Sequence, residues 1–173
     1  MRKRTKKERP DPNKTLVGFI VGDVSYAIPI SIAREIVNPG PLTALPHLPS
    51  SVAGVADHRG QVIVIVDLRS RFGLGPAMEQ SRSKWVLVAV RSRTVGLIVD
   101  HVTDVFGTGG EQVRPPPSLG GGEDIRGIVG VIPHNGMLTF VLDVDRLEGL
   151  AEAALSEHPQ LGNGFEGQGL RHE

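Results

Sequence analysis

The 173-residue sequence contains no cysteine, which excludes a disulfide framework, a thiolate metal site and a redox thiol pair together. Aromatic residues are scarce. Five Phe, one Trp and one Tyr, mostly inside apolar strands, offer no stacking platform for single-stranded nucleic acid. Neither charge is in excess: 19 Lys and Arg balance 19 Asp and Glu, so no global field favours nucleic acid or an anionic membrane. No apolar run approaches the roughly 20 residues needed to cross a bilayer. The opening MRKRTKKERP has no apolar segment behind its charges, so a secretory signal is not expected. Catalytic signatures are missing too. The scattered histidines form no HExxH pattern, and there is no GxSxG elbow or Walker loop. The glycine clusters at 107–110 and 120–122 lie in a Pro-rich connector rather than between a strand and a helix, so they are not phosphate cradles. The expectation is a cytoplasmic protein that is not an enzyme and holds no metal or cofactor.

What is present is a series of short β signals separated by turns. LVGFIV (16–21), Gly22-Asp23 and VSYAIPI (24–30) read as a hairpin. VAGVADH and QVIVIV flank Arg59-Gly60, and KWVLVAV (84–90) meets TVGLIV (94–99) across residues 91–93. GIVGVIPH and MLTFVL flank Asn135-Gly136, a strong type I′ turn dipeptide. SIAREIV (31–37) spaces its apolar residues at four and reads as a short helix capped by Ser31; the stretch after Asp100 reads the same way. Residues 1–14 form an arm crowded with Arg2, Lys3, Arg4, Lys6, Lys7 and Arg9, expected to be disordered. Residues 151–173 form a tail whose first part extends a helix.

An internal repeat organises these pieces. YAIPISIAREIV (26–37) aligns with VGLIVDHVTDVF (95–106), so Glu35 meets Asp104 and Ile36 meets Val105. GVADHRGQVIVIVDLRSRFG (54–73) aligns without a gap on GVIPHNGMLTFVLDVDRLEG (130–149). There His58 meets His134, Arg59 meets Asn135, Asp67 meets Asp143 and Gly73 meets Gly149. The implied fold is all-β: two small five-stranded SH3-like barrels side by side, related by a pseudo-two-fold repeat, with short helices. The barrels are expected at about residues 24–75 and 84–146 of a domain spanning 15–150, the first strand crossing to the second barrel. Asp67 and Asp143 are expected to cap the helices after their strands, and Gly73 and Gly149 to end them. The runs VIVIV and LTFVL read as strands buried on both faces. The two histidines read as structural turn residues. The repeat does not explain Arg59, whose counterpart is Asn135.

Four motifs then carry a specific resemblance: GVxxxRGxVxxxxDLRxRFG at 54–73, VGLxVDxVxDV at 95–105, EQVRPPP at 111–117 and RGxxGV at 126–131. In this order they resemble the CheW family of chemotaxis coupling proteins, over roughly residues 14–150. The resemblance implies a two-barrel, CheW-like fold and a non-catalytic adaptor joining the cytoplasmic tips of chemoreceptors to a CheA-type histidine kinase, recruited to receptor arrays. By the same resemblance Arg59, paired with Glu35, faces the receptor, together with the groove residues Val62, Trp85, Val102 and Val105. Kinase contact falls on Ala33, Ile36 and Gly54. Three features depart from the family pattern. Asp57-His58 replaces its usual Asn-Leu, Val64 replaces a proline, and the basic arm is long. The alternative reading is therefore a scaffold of a non-flagellar chemosensory pathway that has lost one contact, or whose arm binds nucleic acid.

Overall fold

The computed structural model describes residue 11 and residues 14–77, 81–117 and 127–156; the basic arm and most of the C-terminal tail expected from the sequence lie outside the described residues. Among the described residues ten strands make two sheets of five. In chain order they are β1 (Thr15–Val21), β2 (Val24–Pro29), β3 (Ala33–Val37), β4 (Val52–His58), β5 (Gln61–Asp67), β6 (Lys84–Val90), β7 (Arg93–Val99), β8 (His101–Gly107), β9 (Ile128–His134) and β10 (Met137–Leu142). Helix α1 (Leu68–Arg71) follows β5, and a 3-10 turn (Val144–Leu147) leads into helix α2 (Glu148–Ser156) after β10.

The two sheets have strand orders β8-β1-β2-β10-β9 and β3-β6-β7-β5-β4. Advancing every strand of the first order by five positions along the repeat produces the second. Each sheet thus joins the first hairpin of one half to the remaining strands of the other half. The expected barrels at 24–75 and 84–146 are corrected accordingly. Not one strand but the whole β1–β2 hairpin sits with β8–β10, and β6–β7 sits with β3–β5. Parallel pairings make this exchange possible: Tyr26 opposite Phe140 in one sheet, and Val64 opposite Val95 in the other.

Two expected helices are strands. Ala33–Val37 pairs with β6, and His101–Gly107 pairs with β1. Both carry a register shift, between Ala33 and Glu35 and between Val102 and Val105 (opposite Val17/Phe19). An extra residue in a ladder mimics, over so short a run, the four-residue spacing of a helix. Free ladder groups on β1 and β6 then decide the matter, because pairing satisfies backbone donors and acceptors that one isolated helical turn would leave open.

Alternation along the strands divides the core. Val17, Phe19, Tyr26 and Ile28 of one sheet share a cluster with Val64, Val66, Val86 and Val88 of the other. The opposite faces make smaller interiors: Leu16, Ala27, Phe106, Ile132 and Val141 in one sheet, and Ala56, Ile63, Ile65, Trp85 and Leu87 in the other. Both faces are therefore buried over most of the inner strands, as the continuous apolar runs suggested, although Val62 and Leu138, the first residues of the two runs, are exposed. The two small interiors exchange volume at matched places. Trp85 sits opposite Val37 in one, whereas Leu16 sits opposite Phe106 in the other. Gly96 and Ile65 of one correspond to Ala27 and Val141 of the other.

Candidate functional site

Arg59 and Gly60 both adopt left-handed backbone, with φ of 53° and 79°. Asp57 steadies this turn by accepting the Gly60 N–H at 2.9 Å. The turn lifts Arg59 into solvent, its side chain 74 % exposed. Its Nη2 donates to Glu35 Oε1 at 2.9 Å, and His58 Nε2 lies 3.2 Å from Glu35 Oε2. One carboxylate thus takes one partner on each oxygen, and its side chain remains 34 % exposed.

The strand order gives this contact a meaning. Glu35 lies on β3 and His58 at the end of β4, the two outermost strands of the same sheet. The acid–histidine contact clasps those edges and closes the curled sheet. The repeat builds the same clasp in the other sheet, where Asp104 on edge strand β8 holds His134 Nε2 on edge strand β9 at 2.8 Å. Phe106 stacks on the His134 ring at 3.5 Å between centroids. The second clasp has no arginine. Asn135, also left-handed, stands in the place of Arg59 and its Nδ2 lies 3.1 Å from His134 Nε2. The histidine–acid pair is common to both halves, and the guanidinium is added to one. Sequence alignment paired the two acids and the two histidines separately. It carried no signal that they touch, because only curling brings the sheet edges together.

The remaining candidates are dispersed. Val62 is exposed on β5 and lines a hollow with Arg93, Ala151 and Leu155. Val102 lines a different hollow, which it shares with Ile36. The receptor-facing and kinase-facing sets expected from the resemblance are therefore not separate surfaces at that point. Val105 is exposed, and Ala33 is partly buried against the main core. Trp85 is only 6 % exposed and belongs to the small interior beside Ile63 and Leu87, so its expected role as a groove anchor is corrected to core packing. Gly54 is buried, and a Cβ there would lie 2.5 Å from the Thr43 carbonyl oxygen. It lets the connector press onto β4 and offers no surface of its own.

Asp67 and Asp143 accept the N–H groups of Arg69 and Asp145 at 2.9 and 3.0 Å, in the capping positions expected of them. Gly73 has a left-handed φ of 72° just beyond α1. Gly149 does not: the 3-10 turn runs directly into α2, and Gly149 lies inside that helix, so its expected capping role is withdrawn.

The sequence reading missed a second polar knot. Asp100, between β7 and β8, accepts from Arg69 Nη1 at 2.6 Å and from the Gly22 N–H at 2.7 Å. Both side chains of this ion pair are largely shielded. It ties α1 to the β1–β2 turn of the other sheet. Asp100 and Arg69 stood inside two of the motifs quoted above, unpaired by any sequence argument. Two residues beyond Arg69, burial lowers the pKa of Arg71 from its ordinary value, and its Nε is buried without a hydrogen-bond partner.

Among the described residues no group of three His, Asp or Glu is placed to hold a metal ion. No described helix is long and apolar enough to cross a membrane. The sequence model of the CheW-like domain matches residues 15–151. The chain belongs to the CheW-like family. It is 33 % identical over 132 residues to the chemotaxis protein CheW of Rhizobium meliloti, covering 76 % of this chain and 85 % of that protein. The chemotaxis protein CheW of Helicobacter pylori is 29 % identical over 144 residues, with coverages of 83 % and 86 %. The crystal structure of the scaffolding protein TtCheW from Thermoanaerobacter tengcongensis superposes with a TM-score of 0.71 at 26 % identity, covering 82 % of this chain and 91 % of that one. The CheW-like family is one of non-catalytic chemotaxis scaffolds.

Proposed function

We propose that this CheW-like chain couples chemoreceptors to a CheA-type histidine kinase, by contact alone, in the cytoplasm at receptor arrays. The observation that carries the reading is the solvent-exposed Arg59, parked on a carboxylate that His58 also holds. A clasp without an arginine stands at the equivalent place in the other half, so closing the sheet does not require one. The guanidinium is then free to meet a carboxylate on a receptor tip, an antiparallel helical hairpin whose amphipathic helices suit a groove. Val62, Val102 and Val105 add apolar receptor contacts at separate places on the surface. On the kinase side, Ala33 and Ile36 make the contact, and Gly54 acts by seating the connector at Thr43 against β4.

The test is titration of the full chain against a receptor signalling tip and, separately, against the CheW-like domain of a CheA kinase, repeated with Arg59→Ala and Ala33→Asp. Coupling requires binding to both partners, with Arg59→Ala weakening mainly the receptor and Ala33→Asp mainly the kinase, each variant melting as a folded protein. Binding to the kinase alone would identify a scaffold that has lost its receptor. Binding to neither would remove the adaptor reading. Because Ile36 and Val102 line one hollow, the two partners also impede each other if both reach it, and a competition titration reads this directly.

A further inference from the structure

We infer that the β1–β2 hairpin is an exchangeable element: a second copy of this chain supplies it when chains fold together, giving a dimer with reciprocally swapped hairpins. The hairpin comes first in the chain, yet both strands flanking it belong to the other half. β1 pairs with β8, and β2 pairs with β10. Its inward side chains, Val17, Phe19, Val21, Tyr26 and Ile28, are at most 2 % exposed and help fill the main core. Ser25 Oγ and Thr139 Oγ1 meet at 2.9 Å in the buried seam between β2 and β10. The hairpin thus fills a slot inside its sheet, between β8 and β10.

One short link ties the hairpin to the rest of its own half. β2 ends at Pro29 and β3 begins at Ala33 in the opposite sheet, so residues 30–32 alone carry the chain round the corner. The Ile32 N–H donates to the Pro29 carbonyl and the Ala33 N–H to the Ile30 carbonyl, both at 3.2 Å, the long limit for such bonds. Straightened, three residues span about 10 Å, and the hairpin leaves its slot as a unit. The hairpin of a second copy then restores the ladder bonds and the core contacts, so the closed and exchanged forms differ chiefly at the link. A link this short favours exchange, because it leaves the chain little freedom to fold back on itself. The tether also sets the concentration scale, since a hairpin beside its own slot stands at an effective concentration on the order of millimolar. Glu35, His58 and Arg59 lie outside the hairpin, so each unit of the dimer keeps the Arg59 contact whole. The exchanged dimer is a bivalent form of the same scaffold.

The chain has no cysteine, so single introduced thiols report the exchange. Ser25→Cys and Thr139→Cys are made on separate full-length chains. The two positions are 8 % and 1 % exposed, so these thiols do not meet between two closed monomers. The chains are unfolded together, refolded under reductant at about 0.01 to 1 mM, and then oxidised. A disulfide-linked heterodimer is expected, its yield rising about tenfold or more over that range. The same mixture never taken through unfolding is expected to give none. The double variant Ser25→Cys/Thr139→Cys closes the same bond within one chain at low concentration. Deleting Ser31 shortens the link until the corner no longer closes, and light scattering should find that chain mostly at twice the monomer mass. Three glycines inserted after Ser31 should lower the dimer yield below that of the parent. A heterodimer absent at every concentration overturns the proposal, as does a folded, monomeric chain lacking Ser31. A double variant that stays reduced does so too, because the hairpin is then not seated beside β10. Where the deletion prevents folding, the thiol yields on the natural link decide alone.

Discussion

Arg59→Asn turns the first clasp into a copy of the second, and its energetics can be worked from the geometry. At 2.9 Å the Arg59–Glu35 attraction is about 1.4 kcal/mol at the dielectric constant of water, before other costs are counted. Freezing a long arginine side chain costs up to about 2 kcal/mol, and salt screens a guanidinium exposed to this degree. Exposed pairs of this kind are therefore worth about 0–1 kcal/mol net. The substitution also relieves the backbone, because Asn occupies left-handed φ more readily than Arg, by a few tenths of a kcal/mol to about 1 kcal/mol. The two changes offset each other. Glu35 keeps its contact with His58, as Asp104 keeps His134. The melting temperature should stay within about 2–3 °C of the parent. Receptor affinity should fall about ten- to thirtyfold, the usual cost of removing an anchoring interface arginine. Calorimetric melting and titration against a receptor tip read the two quantities on one preparation. A melting point lower by 8 °C or more, about three times what the estimate allows, would make the arginine a structural strut. Unchanged stability with unchanged receptor affinity would remove Arg59 from the interface. Either result refutes the division of labour between the histidine clasp and the added guanidinium.

Three further outcomes follow from the packing. Asp100→Ala strands the shielded Arg69 guanidinium and the Gly22 N–H, and should destabilise by about 2–4 kcal/mol in urea melts, with Asp100→Asn intermediate because it retains an acceptor. Gly96→Ala places a methyl 2.5 Å from Ile65 Cδ1 and should cost about 1–3 kcal/mol; adding Ile65→Val removes that atom, reproduces the Ala27/Val141 pairing of the other half, and should recover much of the loss. His134→Ala should cost about 1–2 kcal/mol and His58→Ala less than half of that, both in equilibrium unfolding, because the first removes the clasp and the Phe106 stack together while Glu35 still holds Arg59 in the second.

The linear sequence determined a good deal. Short turn signals located four hairpins, and continuous apolar runs marked strands buried over most of both faces, because left-handed turns and side-chain alternation are local properties. The repeat matched residues 26–37 and 54–73 to counterparts at 95–106 and 130–149, and the ordered motifs identified the family. Folding decided the rest. Ala33–Val37 and His101–Gly107 carry helical spacing, yet they are strands because distant ladder groups on β6 and β1 were waiting for partners. Which half owns which hairpin was equally hidden, since a reciprocal exchange of hairpins leaves the pattern of each strand unchanged. Trp85 read as a surface anchor until its pairing opposite Val37 turned it inward. The clasps, the Asp100–Arg69 knot and the hollow at Ile36 and Val102 each join residues from separate strands or connectors. No local preference encodes such contacts: they form when the sheets curl and pack, and long-range burial, rather than spacing along the chain, selects them.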